Sequence, residues 1–388
     1  MLSFENTEVA FKSKSDKELK QAHFLFNLIK SPTLVKIGKP VTIFSLKIGL
    51  PIKNLIRATI FKQFCGGETI EECSDKIAEL HKYGVGTILD YSVEGMTEEV
   101  DFEATAKEII RTIEKAKGNE AIPFAVFKMT GITRLGLLEK INTLDSVLND
   151  TEKTEFHGLL DRVDRICKRA FDLDVPLFID AEDYCVQDAI DRIVVSMMVK
   201  YNQEKVIVYN TAQMYRHDRL AYLEKCLEQA KVGGYHYGIK LVRGAYMEKE
   251  RERAQKMGYP SPIHKDKEAC DNDFNASVDL FLRNITTTAV CVGTHNEESS
   301  FLTVEKMKEY GIDSKDERVY FAQLLGMSDH ISFNLANAGY NVAKYVPYGP
   351  IDKVMPYLLR RAEENTSVAG QTGRELALIE KEKKRREM

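Results

Sequence analysis

From residue 84 onward, short runs rich in Val, Ile, Phe and Tyr alternate with longer charged stretches in which apolar residues return every three or four positions. The short apolar runs suit buried strands, and the three-to-four spacing suits helices with one buried stripe. The pattern predicts strands at Gly84–Asp90, Ile122–Lys128, Pro176–Asp180, Lys205–Asn210, Tyr237–Val242, Thr288–Gly293, Arg318–Gln323 and Val342–Tyr348. Glu98–Ala116, Tyr215–Ala230 and Glu297–Tyr310 carry the helical period most clearly. Eight strands, each followed by a helix, is the count that closes a (βα)8 barrel of TIM type. The expected fold class is therefore α/β, with residues 1–83 as an N-terminal helical segment (Asp16–Leu28 and Thr69–Tyr83), 84–370 as the barrel, and 371–388 as a charged C-terminal tail. From Arg374 on, the chain reads as a solvent-exposed helix end.

The predicted strands end in polar residues: Asp90, Lys128, Asp180 with Glu182, Asn210, Arg243, Thr294-His295-Asn296, Gln323 and Tyr345. In a barrel of this kind the C-terminal strand ends gather on one face, where active sites are built. Random polar loop tips would not follow the apolar runs so regularly.

Composition narrows the function. With 55 Lys and Arg against 59 Asp and Glu, the formal charge of −4 lacks the basic excess that nucleic-acid binding leaves. The seven cysteines form no Cys-x-x-Cys pair and suggest reduced thiols in a reducing compartment. No export signal is read at the N-terminus, so a cytoplasmic location is expected. The most apolar stretch, Leu34–Ile56, is broken by four lysines and two prolines. It falls short of a membrane span and is expected to form a helical cap packed on the domain. The alternative its basic and apolar mixture offers is peripheral contact with a membrane surface, the inner face of the cytoplasmic membrane.

Three segments carry candidate chemistry. Tyr357-Leu-Leu-Arg-Arg-Ala-Glu-Glu-Asn365 puts Arg360 and Arg361 on a helix after the eighth strand, two guanidinium forks suited to a carboxylate or phosphate, with Glu364 within one turn of both. The bland alternative is a solvated charged face. Lys240-Leu-Val-Arg-Gly-Ala-Tyr246 brings two cations to a strand end followed by a glycine turn, an arrangement that suits a cofactor pyrophosphate; the alternative is a strand-edge pair neutralised by Glu248 or Glu250. Asp180-Ala-Glu182 offers either a helix cap or a carboxylate facing the site cations. His295 has no neighbouring ligand at metal spacing, and no metal is expected. Neither Gly-x-Gly-x-x-Gly, a P-loop nor Gly-x-Ser-x-Gly occurs.

Taken in order, Phe127-Lys-Met-Thr-Gly131, Ile179-Asp-Ala-Glu182, Lys240-Leu-Val-Arg-Gly-Ala-Tyr246, Thr294-His-Asn296, Gln323-Leu-Leu-Gly-Met327, Tyr345-Val-Pro-Tyr-Gly349 and the Tyr357–Asn365 segment resemble the proline dehydrogenase family. The resemblance spans residues 84 to about 370 and implies a distorted (βα)8 barrel that binds FAD non-covalently. It also implies oxidation of L-proline to Δ1-pyrroline-5-carboxylate, with hydride passing from C5 to flavin N5 and electrons going to a membrane quinone. The chain resembles the monofunctional type, which leaves the product to a separate pyrroline-5-carboxylate dehydrogenase.

Residue by residue, the resemblance assigns Lys128, Arg360 and Arg361 to the proline carboxylate, and Asp180 and Glu364 to orienting those cations. It assigns Tyr246, Leu324, Tyr345 and Tyr357 to the wall around the ring, and Lys240, Val242, Arg243, Gly244, Ala245, Thr294, His295 and Asn296 to the flavin. Either Asn210 or Gln213 is expected against the isoalloxazine, and Asp90 stands where relatives often carry an acidic gate. Hydroxyproline-preferring relatives carry a small residue at the position of Tyr345. The alternatives are a hydroxyproline dehydrogenase, another barrel enzyme with an anionic substrate, and a catalytically silent binding protein on the same barrel.

Overall fold

The structure is a computed structural model; it describes residues 2–30, 53–93, 96–367 and 371–388, leaving aside the side chains of 362–367, 371 and 372. Eight strands close into a barrel in sequence order: β1 Val85–Tyr91, β2 Phe124–Lys128, β3 Leu177–Asp180, β4 Val208–Gln213, β5 Tyr237–Val242, β6 Thr288–Gly293, β7 Val319–Leu324 and β8 Val342–Tyr348. Helices follow them as expected, among them Glu99–Ala116, Arg219–Gly233 and Glu297–Glu309. Most of the Leu34–Ile56 stretch lies outside the described residues. Among those described, no helix is long and apolar enough to cross a membrane.

The strand boundaries match the apolar pattern closely because a parallel strand buries both faces and reads as a continuous run. β4 departs from it, starting at Val208 instead of Lys205. The Asn202 side chain accounts for the shift: its oxygen accepts from the N–H groups of Ile207 (2.9 Å) and Val208 (2.8 Å), and its amide donates to the Val208 carbonyl at 2.8 Å. Residues before 208 are thereby held in a turn, and the ladder continues past the predicted end at Asn210 through buried Thr211 and Gln213.

The chain divides into two compact units, Met1–Glu94 with Gln323–Met388, and Gly95–Ala322. In the second unit the aromatic rings of β2, β3, β4 and β7 meet. Phe124 stacks on Phe178 at 4.3 Å between centroids and meets Tyr209 (5.7 Å) and Tyr320 (4.8 Å) edge-on. These geometries are the favoured ones for ring quadrupoles.

In the first unit, Phe11, Leu19, Ala22 and Phe26 pack against Leu376, Leu378 and Ile379 of the C-terminal helix Gln371–Arg385. This corrects the expectation of a solvated tail. Leu376, Ile379 and Glu382 fall on one helical stripe, and the buried Glu382 carboxylate accepts from Arg385 (2.8 Å) and Arg386 (2.7 Å). A few apolar residues at helical spacing suffice to dock a helix even in a run of charges.

Truncating Phe124 to alanine removes the ring that the other three surround. Its stability to denaturant is expected to fall by about 3–5 kcal/mol, read from the urea midpoint at constant slope; a loss near zero would show that these rings do not pack as described.

Candidate active site

The ladder of the second unit places Lys128 beside Asp180, Thr211 beside Lys240, and Lys240 beside Cys291. Paired positions on parallel strands share a face, so one row of side chains crosses several strands. Asp180 is the acid of this row. Its Oδ2 lies 3.3 Å from Lys128 Nζ, and its Oδ1 accepts from Lys240 Nζ. Burial alone would raise the Asp180 carboxyl, but the ammonium groups of Lys240 and then Lys128 hold it below the ordinary aspartate value. Lys240 is only 4% exposed and sits 5.3 Å from the centroid of Phe178, where the ring face adds a further attraction.

Around this row the strand ends are tied by directed bonds. Glu182 accepts from the Thr130 N–H at 2.8 Å and from the Thr130 hydroxyl, and burial pushes its carboxyl up to about 7. The helix that follows, Tyr184–Tyr201, begins after Asp183 and has no side-chain cap, so the helix-cap reading of this segment does not hold. Gln213 donates to the Glu182 carbonyl at 2.6 Å. Asn210 instead turns to the helix layer, where its amide donates to Asp191 Oδ1 at 3.0 Å. The two candidates for a flavin contact thus face different surroundings.

Beyond β5, the Arg243 guanidinium donates to Asp271 (2.7 Å), Thr294 Oγ1 (2.8 Å) and Ser299 Oγ (2.9 Å), with Phe274 4.3 Å away across its face. Gly244 has a φ of 122°, and a Cβ there would lie 2.7 Å from the Tyr215 ring, so only glycine fits. Gly244 and Ala245 are exposed, while Val242, Tyr246 and His295 are half-buried. Thr294 is buried, and Asn296 caps the helix Glu297–Glu309 by accepting from the Ser299 N–H at 2.9 Å.

The first unit holds the remaining candidates. Leu324 packs against a cluster containing Met327, Tyr357 and Leu358. The Tyr345 carbonyl accepts from the Leu325 N–H at 2.9 Å, which ties the end of β8 to the loop after β7. The Arg361 guanidinium lies 5.1 Å from the Tyr357 ring centroid, one helical turn away, and is buried; Arg360 is half-buried. Asp90 is buried and accepts from the Ser92 hydroxyl at 2.8 Å. The side chain of Glu364 lies outside the described residues.

The sequence profile described as proline dehydrogenase matches residues 73–374. The chain belongs to the proline dehydrogenase family. With that family it is an oxidoreductase acting on proline. It is 33% identical to proline dehydrogenase 1, mitochondrial, of Dictyostelium discoideum, over 98% of this chain and 74% of that one. It is also 31% identical to the hydroxyproline dehydrogenase of Xenopus laevis, over 99% of this chain and 90% of that one. Among solved structures it resembles proline utilization A from Bdellovibrio bacteriovorus, inactivated by N-propargylglycine, with a TM-score of 0.73 at 21% identity. That likeness covers 93% of this chain and 38% of the longer one.

The partners that sequence reading missed are Asp271 and Ser299. Both hold Arg243, where Glu248 or Glu250 had been the local alternative; Glu250 instead accepts from the Tyr184 N–H at 2.6 Å. Nothing in a strand-end motif points to a partner 28 or 56 residues further on.

Glu182 generates a pH prediction with a definite sign. Its folded-state carboxyl titrates at about 7, above the ordinary 4.5, so the folded state holds a proton that the unfolded state has released between those values. This group's contribution to stability therefore declines as pH rises through that window. Glu182→Gln removes the titration, and its stability relative to the unmodified protein is expected to improve steadily from pH 5 to pH 8. A difference independent of pH in paired denaturation curves would contradict the assignment.

Proposed function

We propose that this chain catalyses FAD-dependent oxidation of L-proline to Δ1-pyrroline-5-carboxylate, with a quinone taking the electrons and a separate dehydrogenase taking the product. The reading is carried by the Lys128–Asp180–Lys240 row at the strand ends of a chain belonging to this family. Lys128, Arg360 and Arg361 bind the substrate carboxylate, Asp180 orients the lysines, and Glu364 orients the arginines. Leu324, Tyr345, Tyr357 and Tyr246 wall the pyrrolidine ring and exclude water. The work is done in the cytoplasm, at the inner face of the membrane that holds the quinone.

The residues present suit FAD. Arg243 is fixed by three partners, Gly244 and Ala245 offer bare, exposed backbone, and the Asn296-capped helix presents its N-terminus, a set of donors fit for a large anionic cofactor. Lys240, Val242, Thr294 and His295 complete that set. Of the two amides, Gln213 is assigned to it, because it stands at the C-terminal end of β4, whereas Asn210 turns to Asp191 in the helix layer. When bound, FAD supplies the acceptor for the hydride from C5. The chain itself supplies the rest: cations anchor the carboxylate, and their field favours the neutral amine, the form able to release a hydride. No dedicated strong base is needed.

The direct test is the visible spectrum of the purified protein: a flavin band is expected, and anaerobic L-proline is expected to bleach it. A protein that takes up no FAD, or whose flavin ignores proline, would refute the reading. Losing one charged partner of a buried anion typically costs about 1.5–3 kcal/mol, so Arg360→Met and Arg361→Met should each lower kcat/KM for proline at least roughly tenfold with flavin retained. Near-normal kinetics in both would remove the clamp.

Tyr345 sets the choice of ring. A tyrosine wall leaves little room for a 4-hydroxyl, and such steric discrimination reaches about 1–3 kcal/mol, so proline is expected to be preferred over trans-4-hydroxy-L-proline. Tyr345→Ser should lower kcat/KM for proline while narrowing that preference. An unchanged ratio of the two kcat/KM values would relieve Tyr345 of this role.

A further inference from the structure

The loop that leaves β7 is held in an unusual backbone conformation by groups far away in sequence. Gly326 has a φ of 78°, and Ser328 reaches the left-handed region at 50° without being glycine. Such positions persist where the surroundings over-determine them, and they concentrate at functional sites.

Here the surroundings are specific. The Ser328 N–H donates to the carboxylate of Glu375, which is 3% exposed on the C-terminal helix. Lys344 of β8 is fully buried, and its ammonium donates to the carbonyls of Met327 (2.7 Å) and Leu324 (3.3 Å) while pairing with Asp329 Oδ1 at 2.9 Å. Lys14, from the N-terminal segment, approaches the other Asp329 oxygen at 3.2 Å. Among the described residues, the buried groups Lys344, Asp329 and Glu375 tie this loop to β8 and to the C-terminal helix, and the neutral Gln63 amide adds a bond to the Gly326 carbonyl at 3.0 Å.

Burying charges to hold two helices against a barrel is a poor way to gain stability, because apolar residues of similar size commonly do as well or better. Directed bonds have another property: they fix where the backbone lies. The backbone they fix begins at Leu324, and its Leu325 N–H bonds the carbonyl of Tyr345.

We propose that the two ends of the chain act as a brace for the ring pocket, with Glu375 and Lys344 as positioning residues that set Leu324 against Tyr345. The inference rests on the reading of Leu324 and Tyr345 as walls of the proline site. It adds that selectivity for the ring is controlled from the C-terminal helix, by a residue that touches no substrate.

The test compares four variants by flavin content, thermal unfolding, and kcat and KM for L-proline and trans-4-hydroxy-L-proline. Glu375→Ala removes the acceptor; Glu375→Gln keeps an oxygen for the Ser328 N–H; Leu378→Ala damages the same helix without touching the loop; Leu324→Ala alters the wall itself. The brace predicts that Glu375→Ala raises KM for proline by about three- to tenfold at nearly constant kcat and narrows the preference over hydroxyproline. Glu375→Gln should restore both values, and Leu378→Ala should lower the unfolding temperature while moving neither.

If Glu375→Ala matches Leu378→Ala, losing stability with KM and preference unchanged, the brace is overturned while the wall reading stands. If Leu324→Ala itself leaves KM and preference unchanged, the wall reading fails and the brace falls with it. Should Glu375→Ala yield no flavoprotein, Glu375→Asp, which pulls the carboxylate back by one methylene, carries the same prediction.

Discussion

A single half-buried carboxylate shared by two ammonium groups organises the strand ends of the second unit. Asp180 is held below its ordinary titration range by Lys240 and Lys128 despite burial, and an ion so placed cannot move without leaving a lysine exposed to a low-dielectric interior. The parallel ladder makes the arrangement possible, because equivalent positions on neighbouring strands present side chains to the same face. The aromatic rings of Phe124, Phe178, Tyr209 and Tyr320 pack in the same unit, and Lys240 lies against one of them. Rigidity at these strand ends thus comes from packing and charge together.

Where Asp180 uses charge to hold the Lys128 and Lys240 ammonium groups, the β7 loop uses charge to hold backbone. Lys344 spends its three donors on Leu324, Met327 and Asp329, and Glu375 takes the N–H of Ser328. Both devices are costly in desolvation, and both fix atoms to within a hydrogen bond's tolerance.

How much of this is written in the sequence follows from the range of each interaction. The eight strands were legible because burial on both faces leaves an uninterrupted apolar signal, and β4 slipped only because Asn202 bonds the backbone six residues on. The motifs at the strand ends were legible as chemistry. Their partners were not: Lys240 finds Asp180 across 60 positions, and Arg243 finds Asp271 across 28, separations that no local pattern encodes. The C-terminal helix was misjudged because charges outnumber the few apolar residues that dock it, and its buried Glu375 looked like any other surface acid.

The central claim is that the cations of this site exist to hold a carboxylate on a five-membered amine. L-Prolinamide keeps the ring, the nitrogen and the C5 hydrogens but carries no anion. If charge-assisted bonds to the carboxylate position the substrate, each contributing about 1.5–3 kcal/mol, kcat/KM for the amide measured by steady-state flavin turnover should fall by about a hundredfold or more relative to L-proline. Comparable values for the two compounds would contradict the account.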